Sequence, residues 1–404
     1  MKKVKLGVIG LGSRGYGLMR DNILHMTDKM TVTAVCDVYE DRCVAAADLS
    51  EKMQGSRPKM YENYHDLLAD DEVTAVLIAS SWEMHVPMAV DAMRAGKAVA
   101  LEVGGAYDIR DCWELVDTYE ATKTPFMFLE NCCFGRRELM VLNMVRGGLF
   151  GHVAHCSGGY QHDLRDEISH GKERRHYRLR NYLQRNCENY PTHELGPIAR
   201  VLNINHGNRM LSLVSVASAS HGLHDYIAAH KSDDTALMQA HFAQADIVTT
   251  VIKCAGGETI TLTLDTTLPR YYSRGFTVRG TKGMYEEATD SVFLDGADAE
   301  KDFTWLKTEV GNADRFVAEY EHDLWKPYIN KTAPGGHGGM DWLEFEAFFD
   351  CLLQGKPMPI DVYDAASWMA ISALSEQSVA AGGQPVAIPD FTRGRWTLPE
   401  TENR

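Results

Sequence analysis

The sequence predicts an α/β fold: an N-terminal doubly wound parallel sheet of the Rossmann type, followed by an α+β domain with a large open, mostly antiparallel sheet. Three observations carry this prediction. Short apolar strands alternate with helical segments over the first 130 residues or so. A glycine fingerprint, Gly10-Leu11-Gly12-Ser13-Arg14-Gly15, links the first strand to the first helix. After residue 150 the texture changes to strands closely spaced by turns.

Residues 4–9 (VKLGVI) form a short apolar strand that ends in the glycine turn, and residues 15–27 carry helix-forming side chains. TVTAVCD (31–37) is a second strand ending in an acid, and the stretch through Ala45, Ala46, Ala47 and Leu49 reads as a helix. VTAVLIAS (73–80) is apolar on both faces, as a strand of a parallel sheet must be. HVPMAVDAMRAGK (85–97) is a helix with Pro87 in its first turn and Gly96 at its end. AVALEV (98–103) is a strand, 110–122 a helix and FMFLEN (126–131) a further strand. In the second half, 151–160, 211–218, 245–254, 258–267 and 275–287 read as strands, and 341–354 and 361–381 as amphipathic helices. These divide the chain into a dinucleotide-binding domain, 1–130, and a substrate-binding and oligomerisation domain, 131–404. The last helices are expected to pack back on the first domain or between the two.

A chain of 404 residues is long enough for two cores. Its 45% hydrophobic and 24% charged residues are ordinary for a globular protein. The net charge of −15, with no basic run able to track phosphates, speaks against nucleic acid or an anionic membrane as a partner. No stretch approaches the roughly 20 apolar residues of a membrane helix, and the N-terminal apolar run flows straight into the glycine turn, unlike a signal peptide. Nine cysteines, an odd number with no CxxC spacing, suit reduced thiols and a cytoplasmic location.

The glycine fingerprint alone is a weak signal. Here it follows a strand, opens a helix and precedes Asp37, 22 residues beyond Gly15. Gly10 permits the tight turn, Gly12 the approach of a pyrophosphate, and Gly15 the close packing of helix on strand. Asp37 is placed to accept hydrogen bonds from the adenosine ribose and to repel a 2′-phosphate, so NAD is the expected cofactor. Arg42 is positioned to complicate that preference. The alternative is a glycine-rich turn in a fold without a cofactor.

This N-terminal pattern, the strand ending in LEV and the sheet-rich second half resemble the Gfo/Idh/MocA superfamily of sugar and cyclitol oxidoreductases. That superfamily carries Glu-Lys-Pro at the end of the fifth strand, where the lysine assists proton transfer; this chain reads Glu102-Val103-Gly104. It also places an aspartate four residues before a histidine, and here Asn189 precedes His193. Both departures fit one branch. ASSWEMHVPMA (79–89), LEVGGA (101–106), ENCCFGRRE (130–138), NYPTHELGPIARVLNINHGNRM (189–210), LVSVAS (213–218) and GGHGGMDW (335–342) closely resemble glycoside hydrolase family 109. That family is typified by α-N-acetylgalactosaminidases that use NAD as a recycled catalyst.

The resemblance implies that Ser13, Arg14, Asp37, Trp82, Glu83, Met84, His85, Glu102, Val103 and Asn131 bind NAD. It implies that Tyr160, Arg178, Tyr190, Pro191, Thr192, His193 and Tyr272 face the sugar. Tyr271, Arg174 and Arg175 are substitutes for the looser matches. The NAD route removes hydride from C3 of the sugar, acidifies the C2 proton, expels the glycosidic oxygen at C1 by elimination, adds water and returns the hydride; such enzymes stand outside the two-carboxylate rule of ordinary glycosidases. His193, Tyr160 and Tyr272 are the candidates for proton transfer, and Arg178 and Thr192 for orienting the sugar. A packed core histidine is the alternative for His193, and a core tyrosine for Tyr160. A sugar or cyclitol dehydrogenase, or a non-catalytic sensor of sugar or NAD, are the competing functions. A homodimer or larger assembly is expected from the resemblance alone.

His337, among Gly335, Gly336, Gly338 and Gly339, sits in a loop able to reach a ligand, although a plain mobile turn explains those glycines equally. Cys132 and Cys133 read as buried packing residues. No HxxxH or HExxH pattern falls on a predicted helix, so no metal is assigned. Lys172 to Arg180 (KERRHYRLR) reads as a solvated or substrate-entrance segment.

Overall fold

Strands with apolar residues on both faces need cover on both sides, and the N-terminal strands of the computed structural model obtain it from intervening helices. The structure describes residues 3–296 and 310–398. Strands β1 (Val4–Ile9), β2 (Met30–Cys36), β3 (Lys59–Tyr61), β4 (Ala75–Ile78), β5 (Ala98–Glu102) and β6 (Phe126–Leu129) form a parallel sheet in the order β3-β2-β1-β4-β5-β6. Every residue of β4, β5 and β6 is buried. The order reverses beside β1, so the carboxyl ends of β1 and β4 open the crevice where such sheets bind ligands.

The second sheet runs β13-β12-β11-β7-β10-β9-β8-β14. Its strands are β7 (Val153–Gly158), β8 (Met210–Ala217), β9 (Ile247–Cys254), β10 (Thr259–Asp265), β11 (Thr277–Gly280), β12 (Gly283–Glu286), β13 (Ser291–Leu294) and β14 (Val386–Ala387). Only the β7–β10 pair is parallel. Along β9, Val248, Thr250, Ile252 and Cys254 are buried while their neighbours point outward, the alternation of a sheet covered on one face. Ser378, on the helix Val362–Ala380, accepts a hydrogen bond from the Ser215 amide of β8.

The chain falls into two units. The first comprises residues 3–134 and 327–367 of the described chain, the second residues 135–296, 310–326 and 368–398. The break expected after residue 130 therefore lies after 134, and the helix Met340–Gln354 joins the first unit. The reason is polar as well as apolar: Asp341 accepts from Asn131, and the Phe128 amide of β6 donates to the Ile360 carbonyl. The expected helix 85–97 begins earlier, at Trp82, which moves Pro87 into its second turn. The segment 275–287 resolves into a hairpin of β11 and β12. No helix among the described residues is long and apolar enough to cross a membrane. All nine cysteines are free, Cys132 and Cys133 among the buried ones.

Candidate active site

In the first unit, Gly10 adopts φ +89°, and a Cβ there would lie 2.6 Å from the Ala79 carbonyl, so the turn needs glycine. At Gly12 a Cβ would meet nothing nearer than Arg42 Nη1 at 3.6 Å, which leaves open space over the turn. Gly12 offers no side-chain cap to the helix Ser13–Asp21, so the helix presents its first amides and its positive end to an anion. Asp37 is buried and accepts from the Leu11 amide (2.7 Å) and the Tyr39 amide (3.0 Å), which ties the end of β2 to the glycine turn. A pocket of about 290 Å³ opens here, lined by Leu11, Gly12, Ser13, Tyr16, Asp41, Arg42 and Ala45. Arg42 Nη1 stands 3.7 Å from Asp37 and the guanidinium lies over the Tyr39 ring, so its charge is partly answered within the protein. A bare turn, an uncapped helix and an acid at the end of β2 fit a dinucleotide.

At the ends of β4 and β5 lie the other expected cofactor residues. Trp82 and His85 are buried and Glu83 and Met84 half-buried in the first turn of their helix. The Trp82 indole packs on Gly104, where a Cβ would fall 2.5 Å from Cδ1. His85 Nε2 lies 3.1 Å from the Ser80 carbonyl, and burial lowers its pKa to about 4, so the ring is neutral. Glu102 and Val103 are buried, and the Val103 side chain has no proton to exchange. The Arg14 guanidinium is bound to Glu102 (Nε–Oε1 2.8 Å) and to Asp341 (2.9 and 3.1 Å). Burial opposes its charge, but the two carboxylates hold it protonated.

The second unit gathers the aromatic and basic candidates. Tyr160, just beyond β7, has its ring 4.4 Å from that of Tyr190 and 5.6 Å from that of His193, and Tyr190 and His193 are 4.8 Å apart. Gly158 permits this, since a Cβ there would lie 2.8 Å from the Cβ of Glu194 on the helix Thr192–Val201. The Tyr-Pro-Thr-His run thus enters a helix rather than a loop, with His193 in its first turn. The approach is pinned: Asn189 donates to Gln244 (3.1 Å), Gln244 donates to the Cys187 carbonyl (3.0 Å), and the Glu188 amide donates to Ser375 (2.9 Å). Burial pushes the Tyr160 phenol up to about 12, so it keeps its proton at neutral pH.

Arg178 is buried, 2.8 Å from the Glu167 carboxylate, with its guanidinium 5.6 Å from the centre of the Tyr190 ring. Arg174, Arg175 and Arg180 are exposed, so the basic segment is mostly solvated and turns Arg178 and Leu179 inward. Tyr272 is half-exposed, and the ring it meets is that of His162, at 5.3 Å; Tyr271 is 78% exposed. His162, two residues after Tyr160 and likewise beyond β7, is a residue that the sequence reading does not single out. Its ring stacks on Tyr160 at 5.9 Å, and burial and Arg178 lower its pKa. His162 Nδ1 and Thr192 Oγ1 are buried polar atoms without a protein hydrogen-bond partner among the described residues, as groups that await a polar ligand are.

Glu188 is a buried carboxyl whose protonation can be tested. Burial raises its pKa from 4.5 to about 8, against the amides of Tyr190 and Leu264. A carboxyl raised in the folded state contributes stability that is complete below 4.5 and is lost as the pH climbs through about 8. Thermal unfolding of Glu188→Gln should therefore lack the decline in Tm that the parent shows across that window. Parallel Tm–pH profiles would show that Glu188 is not the group responsible.

A family model described as the C-terminal domain of glycosyl hydrolase 109 matches residues 134–398, and one for the NAD-binding Rossmann fold of the oxidoreductase family matches residues 4–129. An alpha-N-acetylgalactosaminidase of Tannerella forsythia is 40% identical, over 97% of this chain and 87% of the relative. One of Shewanella oneidensis is 36% identical, over 98% of this chain and 86% of the relative. Among solved structures, a levoglucosan dehydrogenase in complex with NADH and levoglucosan superposes with a TM-score of 0.72 at 16% identity, covering 96% of this chain and 100% of that one. At that identity the likeness speaks for the fold.

Proposed function

The chain belongs to glycosyl hydrolase family 109, and from that membership we propose that it is an NAD-dependent glycosidase acting on a terminal α-linked N-acetylgalactosaminide. The observation that carries the reading is the contact cluster of Tyr160, Tyr190 and His193 beside buried Arg178, combined with an apolar Val103 where the dehydrogenases keep a lysine. NAD supplies an acceptor for the hydride of the sugar's C3 and gives it back at the end of the cycle. Gly10, Gly12, Ser13 and Asp37 would hold it, together with Glu102 and Asn131.

The proton work falls to the second unit's side chains. His193 takes the proton of the C3 hydroxyl as the carbonyl forms there. The carbonyl acidifies the C2 proton, which His162, kept neutral by its surroundings, is able to accept. Tyr160, protonated at neutral pH, donates to the glycosidic oxygen as it leaves C1. Arg178 and Thr192 orient the sugar hydroxyls or the N-acetyl group. Water adds to C1, the protons retrace their paths, and the sugar is released with NAD unchanged. Nine free cysteines suit a reducing compartment, where the same reading places the enzyme.

The test is an incubation of the purified protein, with no cofactor added, against chromogenic α- and β-glycosides including the N-acetylgalactosaminides. Release of the aglycone with no net NADH is the expected result. Accumulation of NADH from free sugars without bond cleavage would overturn it in favour of a sugar dehydrogenase, and sugar binding without either would favour a sensor.

A further inference from the structure

One carboxylate gathers the side chains expected to face NAD. Asp341 stands in the first turn of the helix Met340–Gln354, 210 positions from Asn131 and 327 from Arg14, both of which it binds. Its Oδ1 accepts from Asn131 Nδ2 (2.7 Å) and Arg14 Nη2 (3.1 Å), and its Oδ2 accepts from Arg14 Nη1 (2.9 Å) and faces His337 Nδ1 (2.9 Å). Arg14 carries the connection onward to Glu102 through Nε. The helix Ser13–Asp21, the Asn131–Phe134 turn and the loop of His337 thus meet on one acceptor, and Arg14 links it to the end of β5.

The glycines around His337 follow from this. A Cβ on Gly336 would lie 2.6 Å from Asp341 Oδ2, and one on Gly335 would lie 2.1 Å from Asn22 Oδ1. Gly335, Gly338 and Gly339 take φ values of +84°, +68° and +101°, and His337 itself sits at +50°. Gly336 lies against the carboxylate, while the left-handed backbone at Gly335, Gly338 and Gly339 favours glycine at the rest of the loop. Neighbouring Glu344, fully buried beside Asp341 and Glu102, is held neutral by burial and by those two charges, so the ionised carboxylates share Arg14.

We propose that Asp341 is a positioning residue of the cofactor site: it holds Arg14 and Asn131, and through Arg14 Glu102, in the one arrangement that receives NAD, with His337 as its solvent-side donor. The proposal rests on NAD binding by the first unit, and its test uses no glycoside. A protein that binds NAD but cleaves nothing would overturn the glycosidase reading and leave this one standing.

The test is the dissociation constant of the full chain for NAD and for NADH, titrated after removal of any NAD carried through purification, beside the Tm of the NAD-free protein. Asp341→Asn should weaken binding roughly 10- to 100-fold, the scale set by outer-shell partners that orient a ligand's direct contacts, with the NAD-free Tm close to the parent's. His337→Gln should weaken it less. In a double-mutant cycle with Asn131→Ser the two losses should fall short of their sum, because one acts through the other. Should Asp341→Asn not fold, Asp341→Glu, which keeps the charge but displaces the oxygens, replaces it in the same measurements. Unchanged affinity, or losses that simply add, would overturn the proposal.

Discussion

His193→Ala should lower glycoside turnover by roughly a hundredfold or more, the usual worth of a positioned acid–base group, while the purified protein keeps its bound NAD. The imidazole stands at the start of a helix, edge-on to Tyr160 and Tyr190, and belongs to the unit that holds none of the expected cofactor residues. Its loss therefore removes a proton acceptor without touching the glycine turn, Asp37 or Glu102. Turnover is followed with the chromogenic glycoside and NAD by release from denatured protein. Substitution by glutamine, which keeps a polar group of similar size but cannot take a proton, should restore nothing. A loss of less than tenfold would make His193 a packing residue. Loss of NAD along with activity would mean that its role has been assigned to the wrong half of the chemistry.

Gly15→Ala should be the most damaging methyl group that can be added to the glycine turn. A Cβ there would stand 2.0 Å from the Gly10 carbonyl oxygen and 3.3 Å from the Ala79 Cβ. The first obstacle is backbone, held by the Gly10 amide's own bond to Cys36 at 2.9 Å, so no flexible side chain can swing aside. Relief requires the helix to lift from the strand, with an expected cost of about 3 kcal/mol or more in urea unfolding and loss of NAD. Two neighbours separate the causes. Gly12→Ala meets only the end of Arg42, at 3.6 Å, so stability should hold while NAD binding falls. Gly17→Ala meets nothing within 4 Å inside the same helix and should stabilise it by about 0.5–1 kcal/mol. Equal effects at Gly15 and Gly17 would refute the close-packing role given to Gly15.

The first unit was readable because its constraints are local. A left-handed turn at Gly10, a methyl-free contact at Gly15 and an acid at the end of β2 lie within 28 residues of one another and follow a strand–turn–helix order. Arg178 shows where local reading stops. Arg174, Arg175 and Arg178 share one basic segment, and composition does not distinguish them; only the fold turns Arg178 inward onto Glu167 and leaves the other two in water. Tyr272 is a candidate by resemblance, and only the fold brings its ring to that of His162.

By itself the sequence determined the Rossmann unit, NAD as its cofactor, and the family to which Tyr190 to His193 belong. Each is written in residues close together along the chain, where backbone sterics and hydrogen bonding act directly. The tertiary structure alone decided the place of Asp341 against Arg14 and Asn131, of His162 beside Tyr160, and of Gly158 under the helix that bears His193. These contacts join segments as far as 327 residues apart. Their partners are selected by which elements pack together within each unit, and that choice comes from burying its sheet rather than from any local pattern.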